Sequence, residues 1–168
     1  MKKNKVLKIV KVLDHIEKRV QGICAFMVLG ILVATLMQVV WRYVLNSPLM
    51  WTEELARFLG IWMVLLFAGV VVREEGHLGF DILPDSMKPA LSLISNLAII
   101  LFAVLLFKGA MDYVLIEPEI KSSALQIPRW FMYSSIPAGL VLMVIFALDG
   151  IIKNSVIPYL IHKKKGKV

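Results

Sequence analysis

One cysteine in 168 residues removes every disulfide and every Cys-x-x-Cys redox pair within this chain. That residue, Cys24, lies in a long apolar run and reads as a small buried hydrophobe. Histidine is nearly as scarce. His15, His77 and His162 all fall outside the apolar runs, so no pair of them can hold a haem between helices. His77 and Asp81 stand four apart, but no second histidine or cysteine lies near them, and a metal such as zinc needs more ligands. The chain also lacks a Ser/His/Asp set, a glycine-rich phosphate loop and paired buried carboxylates. These gaps argue against an enzyme, a resident cofactor and a metal centre. There is no internal repeat, and no low-complexity segment apart from a lysine-rich tail.

What the chain has in quantity is apolar surface. Hydrophobic residues make up 59% of it and the mean hydropathy is +0.78, well above a soluble domain. Four runs are near the length a membrane crossing requires, at residues 20–41, 51–72, 90–107 and 130–148. The first, third and fourth contain no charged residue. The expected fold is therefore an all-α integral membrane protein with four transmembrane helices. The first run is too long for a signal peptide and no small-x-small cleavage site closes it.

The net charge of +7 gathers at the two ends. Residues 1–19 carry Lys2, Lys3, Lys5, Lys8, Lys11, Lys18 and Arg19 against Asp14 and Glu17, and the tail 149–168 carries five lysines against Asp149. The positive-inside rule then puts both termini in the cytoplasm, as an even number of spans allows. Nucleic acid binding is a weaker explanation of such tails beside four membrane spans. Leading into the first span, Val6, Ile9, Val10, Leu13, Ile16 and Val20 share one helical face, and Lys8, Lys11, His15, Lys18 and Arg19 share another. This pattern predicts a short amphipathic helix in contact with membrane lipid, either lying in the headgroup layer or extending the first span.

The second span differs from the others. Trp51, Glu53, Glu54 and Arg57 form a polar stripe within its first two turns, ahead of the unbroken apolar run from Phe58 to Val72. Arg57 stands at i+4 and i+3 from the two acids, which suits an ion pair. Charges at that depth are costly unless paired, snorkelled or covered by protein, so the stripe points to a helix or subunit interface. A second cluster, Arg73, Glu74, Glu75, His77 and Asp81, reads as a solvated cytoplasmic helix end and loop. Ser47 and Pro48 predict the start of the second helix. The third loop contains the apolar Tyr113–Ile116, which suggests a surface helix, and Pro137 with Gly139 predicts a kink in the last span.

The segment Trp51-Thr-Glu53-Glu54-Leu55-Ala56-Arg57, its apolar continuation, and Arg73-Glu-Glu-Gly76-His77-x-x-x-Asp81 together resemble the small, four-helix membrane subunit of TRAP (tripartite ATP-independent periplasmic) transporters. The run Leu125-Gln-Ile127-Pro128-Arg-Trp130, with Tyr133, Pro137 and Gly139, resembles the entry to that family's last helix. The resemblance implies a bacterial inner-membrane system driven by sodium. In it a periplasmic substrate-binding protein captures an organic acid, and a large membrane subunit carries the acid inward. This chain would be the non-catalytic scaffold that braces the large subunit. Family substrates are carboxylates, either C4-dicarboxylates or sialic acid, with overall resemblance leaning to sialic acid. Asp112, Glu117, Glu119, Lys121 and Arg129 on the outer surface are candidates for docking the binding protein. The rival reading is a self-assembling small channel or exporter whose pore is lined by Glu53 or Glu54.

Overall fold

The computed structural model describes residues 2–78, 88–116 and 120–153, with side chains over 8–74, 90–116 and 120–153. Five helices follow one another: α1 (Lys2–Tyr43), α2 (Met50–Leu78), α3 (Lys88–Ile116), α4 (Arg129–Tyr133) and α5 (Ser135–Ile151). Four segments are long and apolar enough to cross a membrane: Lys8–Tyr43, Met50–Glu74, Ala90–Ile116 and Arg129–Ile151. The last joins α4 to α5. The all-α, four-span architecture is as expected, and its details depart from the sequence reading in four places.

Of the two readings of residues 1–19, a separate helix in the headgroup layer gives way to an extension of the first span: α1 runs on without a break for 42 residues. At 1.5 Å per residue that is about 63 Å, twice a hydrocarbon core of about 30 Å. No proline precedes Pro48, so every backbone donor of the helix is kept, and α1 passes through Gly22, whose weak helix propensity costs only about 1 kcal/mol. α2 begins at Met50, after the Ser47-Pro48 signal, and the Thr52 hydroxyl donates to the Leu49 carbonyl at 2.7 Å. Tyr113–Ile116 is the end of α3 and not a separate surface helix. The third span is therefore longer than the 90–107 expected.

The fourth departure concerns Pro137. The break in the last span falls at Ser134, between α4 and α5. Proline at 137 has no N–H to give the Tyr133 carbonyl and its ring crowds that group, so the interruption falls one turn ahead of the ring. The chain is carried through by Ser134 N–H to Trp130 O at 2.9 Å and Ala138 N–H to Ser134 O at 3.2 Å. Gly139 has another role. A Cβ built there would lie 2.7 Å from the Leu65 carbonyl oxygen of α2. One at Gly69 would lie 2.9 Å from Leu142 Cγ of α5. The two glycines thus face each other's helices and let α2 and α5 approach backbone to backbone. Lipid tails are as apolar as leucine, so close packing of this kind is a main source of helix association in a bilayer.

The helices stand in an open row. α2 packs along both α1 and α5, α5 packs along both α2 and α3, and α1 has no packed interface with α3 among the described residues. The buried apolar set is small. One cluster sets Ala103 and Ala110 of α3 against Leu140 of α5, with Ile136, Met143 and Val144 beside them, and Val70 of α2 and Phe146 and Ala147 of α5 are also fully buried. Both edge helices present large bare side chains, such as Phe26 at 76% and Leu105 at 70% exposure. These surfaces need lipid or another protein to cover them.

Candidate functional site

Two polar clusters mark the two ends of α2, 19 residues and so about 28 Å apart. At the first, Glu54 reaches across to the segment before α4. Its Oε2 accepts the backbone N–H groups of Ala124 at 2.9 Å and Leu125 at 2.7 Å. That segment is tied into a tight reversal. Ser122 N–H donates to Ile127 O and Arg129 N–H to Ile120 O, each at 2.9 Å, and Ile127 N–H donates to Ser122 Oγ at 3.1 Å. Gln126 adopts a left-handed backbone with φ of 55°, as the reversal requires. Two successive backbone N–H groups aimed at one carboxylate make charge-assisted bonds, stronger than neutral ones. Glu54 therefore clamps the loop 120–129 to the start of α2.

The rest of the stripe looks outward. Glu53 accepts from Arg57 Nη2 at 3.1 Å, with both side chains about two-thirds exposed, and Trp51 is 38% exposed. An exposed i,i+4 pair contributes about 0.3–0.5 kcal/mol, too little to explain the stripe as an aid to stability. With Glu54 held by backbone and Glu53 by Arg57, the pore-lining reading gains no support. Asp112, Lys121 and Arg129 are exposed near this end, whereas Glu117 and Glu119 lie outside the described residues. Replacing Glu54 with alanine is expected to speed amide hydrogen exchange at Ala124 and Leu125 at least tenfold, with exchange along the middle of α2 unchanged. Unaltered exchange at those two amides would show the clamp to be dispensable.

At the other end, Arg73 is not the solvated residue that the sequence suggested. Its side chain is 3% exposed because acids from two other helices converge on it. Nε donates to Asp149 Oδ2 of α5 at 2.8 Å, Nη1 donates to Glu17 and Nη2 to Asp14, both of α1. Lys153 Nζ lies 3.1 Å from the same Asp149 oxygen, and the Phe146 ring sits 5.4 Å from the Arg73 Cζ. One guanidinium thus joins three helices, using its planar fork of donors as lysine could not. Asp149 is fully buried, and its Oδ1 has no hydrogen-bond partner among the described residues. Beside the cluster, Gln21 Nε2 donates to Glu74 Oε1 at 2.9 Å, a second α1–α2 link. Glu75 and His77 lie on α2 with their side chains outside the described set, and Asp81 is outside it altogether.

Asp14, Glu17 and Asp149 were counted in the sequence only as charge balance. Their signal was available. Each is an acid near the same end of a span as Arg73, where an unpaired charge is costly. Asn96 was also passed over. Its Nδ2 donates to the Ser92 carbonyl at 2.7 Å, and its carboxamide packs against Gly150, joining α3 to the end of α5.

Residues 31–155 match the family described as "Tripartite ATP-independent periplasmic transporters, DctQ component". Among curated proteins, the chain is 29% identical over 150 residues to the sialic acid TRAP transporter small permease protein SiaQ of Vibrio cholerae, covering 84% of each. It is 29% identical over 104 residues to the C4-dicarboxylate TRAP transporter small permease protein DctQ of the same organism, covering 60% of this chain and 44% of that one. It is also 33% identical over 86 residues to the sialic acid TRAP transporter permease protein SiaT of Haemophilus influenzae, covering 51% of this chain but only 14% of that protein.

Proposed function

The chain belongs to the DctQ-component family of tripartite ATP-independent periplasmic transporters, and from that premise we propose that it braces a large permease subunit while that subunit carries an organic acid across the inner membrane. It is a small permease subunit of a multi-pass membrane type, in a family of transporter components and not of catalysts. The finer reading is sodium-driven uptake of a sialic acid or C4-dicarboxylate delivered by a periplasmic binding protein. The names of the relatives, SiaQ and DctQ, support those two substrate classes.

The observation that carries the bracing role is the open row of helices. A chain with α1 and α3 at separate edges encloses no pathway of its own among the described residues. What it offers is breadth: four tied spans with bare apolar faces, suited to widening the stationary part of a carrier whose other part moves. Both termini face the cytoplasm in this reading, which follows from the basic ends of the chain. The Arg73 cluster then lies at the cytoplasmic end of α2 and the Glu54 clamp at the periplasmic end. Trp51, Glu53 and Arg57 face the large subunit there, and Asp112, Lys121 and Arg129 stand where a binding protein docks through salt-sensitive contacts.

Vesicles containing this chain alone are expected to move neither sialic acid nor a C4-dicarboxylate, whereas vesicles that also hold the large subunit and binding protein take one of them up. Arg57→Ala is expected to lower recovery of the large subunit with this chain by at least threefold while leaving the chain's own stability within about 0.5 kcal/mol, as befits an exposed pair. Unchanged recovery together with unchanged uptake would remove the stripe from the interface.

A further inference from the structure

The Arg73 cluster sorts the charges of α1, and the sorting leaves a face with one sign. Within residues 8–19 the acids are Asp14 and Glu17, and Arg73 draws both to the side that meets α2. Lys8, Lys11, His15 and Arg19 recur at steps of three, four and four, so they align along the opposite side, and all four are exposed. They line an open groove with Val12 and Ile16. The His15 ring is steadied by its Nδ1, which donates to the Lys11 carbonyl at 2.8 Å. From Lys8 to Arg19 the face extends about 17 Å along the helix axis.

We propose that this face binds the phosphates of anionic phospholipid headgroups. Three observations select that occupant. No carboxylate pairs with Lys8, Lys11 or Arg19 among the described residues, because Asp14 and Glu17 are both engaged by Arg73, with Asp14 half exposed at the border of the face. The apolar Val12 and Ile16, 58% and 37% exposed, stand among the cations, an arrangement suited to the boundary between headgroups and acyl chains. The helix continues without a break into an apolar span, which holds the basic turns at a bilayer surface. Long basic side chains there can lay their stems along the lipid and set their charges at phosphate level. Arg73 is then a positioning residue for the face, since it removes the acids that would repel a phosphate.

The test uses the purified full-length chain in neutral detergent micelles doped with fluorescent phosphatidylglycerol or, separately, fluorescent phosphatidylcholine. Wild-type protein is expected to retain the anionic lipid at least tenfold better near ~50 mM salt, with the preference shrinking as salt screens the charges. The variant K8Q/K11Q/R19Q is expected to lose most of that preference. K108Q/K121Q/R129Q removes the same charge from exposed positions elsewhere and is expected to keep it. Inorganic phosphate at equal ionic strength is expected to displace the labelled lipid no better than chloride does. Equal retention of the two lipids would overturn the proposal, as would equal losses in the two triple variants. Specific displacement by inorganic phosphate would also overturn it, by assigning the face to a free anion.

Discussion

Replacing Arg73 with alanine is expected to be the most damaging single change in the chain, lowering its unfolding free energy by about 3–5 kcal/mol. The size of the effect follows from where each partner lies. Asp14 and Glu17 keep 46% and 20% of their side-chain exposure, so each can return to water when the guanidinium is gone. Asp149 cannot, because its side chain has no exposure, and only Lys153 would remain beside it. A buried carboxylate stripped of its main partner is the expensive product. Arg73→Lys is expected to lose less, since one ammonium can hold Asp149 but cannot span three acids in the same geometry. Arg73→Met combined with Asp149→Leu is expected to recover much of the loss, because it removes both buried charges together. Denaturant unfolding in detergent measures all three variants. Limited proteolysis within residues 8–19 reads the release of α1 from α2 and α5. Should Arg73→Ala match the wild type in both, the three-helix ion cluster contributes nothing to the fold.

Gly139→Leu is expected to be the second most damaging change. A Cβ at that position meets the Leu65 carbonyl oxygen at 2.7 Å, and backbone cannot swing aside as a side-chain tip can. The α2–α5 contact must open along its length, which forfeits the packing around Gly69 and Leu142 as well. Overpacking of this kind costs about 1–3 kcal/mol, and here the wedge falls between the two central members of the row. Gly109→Ala supplies the control, since nothing lies within 4 Å of a Cβ built there. It is expected to leave stability unchanged or raise it by a few tenths of a kcal/mol, up to about 1 kcal/mol, through helix propensity. Unfolding curves for the two glycine variants that superimpose would contradict the close α2–α5 approach.

The helices themselves were legible in the sequence, because runs of about twenty apolar residues without charge have few other uses. Their lateral order was not. Spans such as residues 90–107 are apolar around most of their circumference, and the short polar mark of Ser92 and Asn96 at one end is too brief to orient the whole helix. Only the glycines at 69 and 139 hinted at the tight α2–α5 seam, and Gly139 was more readily taken as part of a proline kink. The Glu54 clamp was half legible. The stripe at Trp51, Glu53, Glu54 and Arg57 stood out, but the bonds that hold Glu54 come from the Ala124 and Leu125 backbone, and backbone N–H groups leave no trace in residue identity. The Arg73 cluster was hidden by sequence distance. Its partners lie 56, 59 and 76 residues away, and each alone resembles an ordinary charge near a helix end. Recognising it required setting the charged residues of each span at a common depth in the bilayer.

The account rests on this chain being a membrane-embedded brace for a larger subunit, and its most direct test is affinity purification of the full chain from its native membrane in mild detergent, followed by a mass measurement. The expected result is a one-to-one complex with a much larger, many-spanning protein. Recovery of the chain only as assemblies of itself, which by themselves move an organic acid across vesicle membranes, would contradict it.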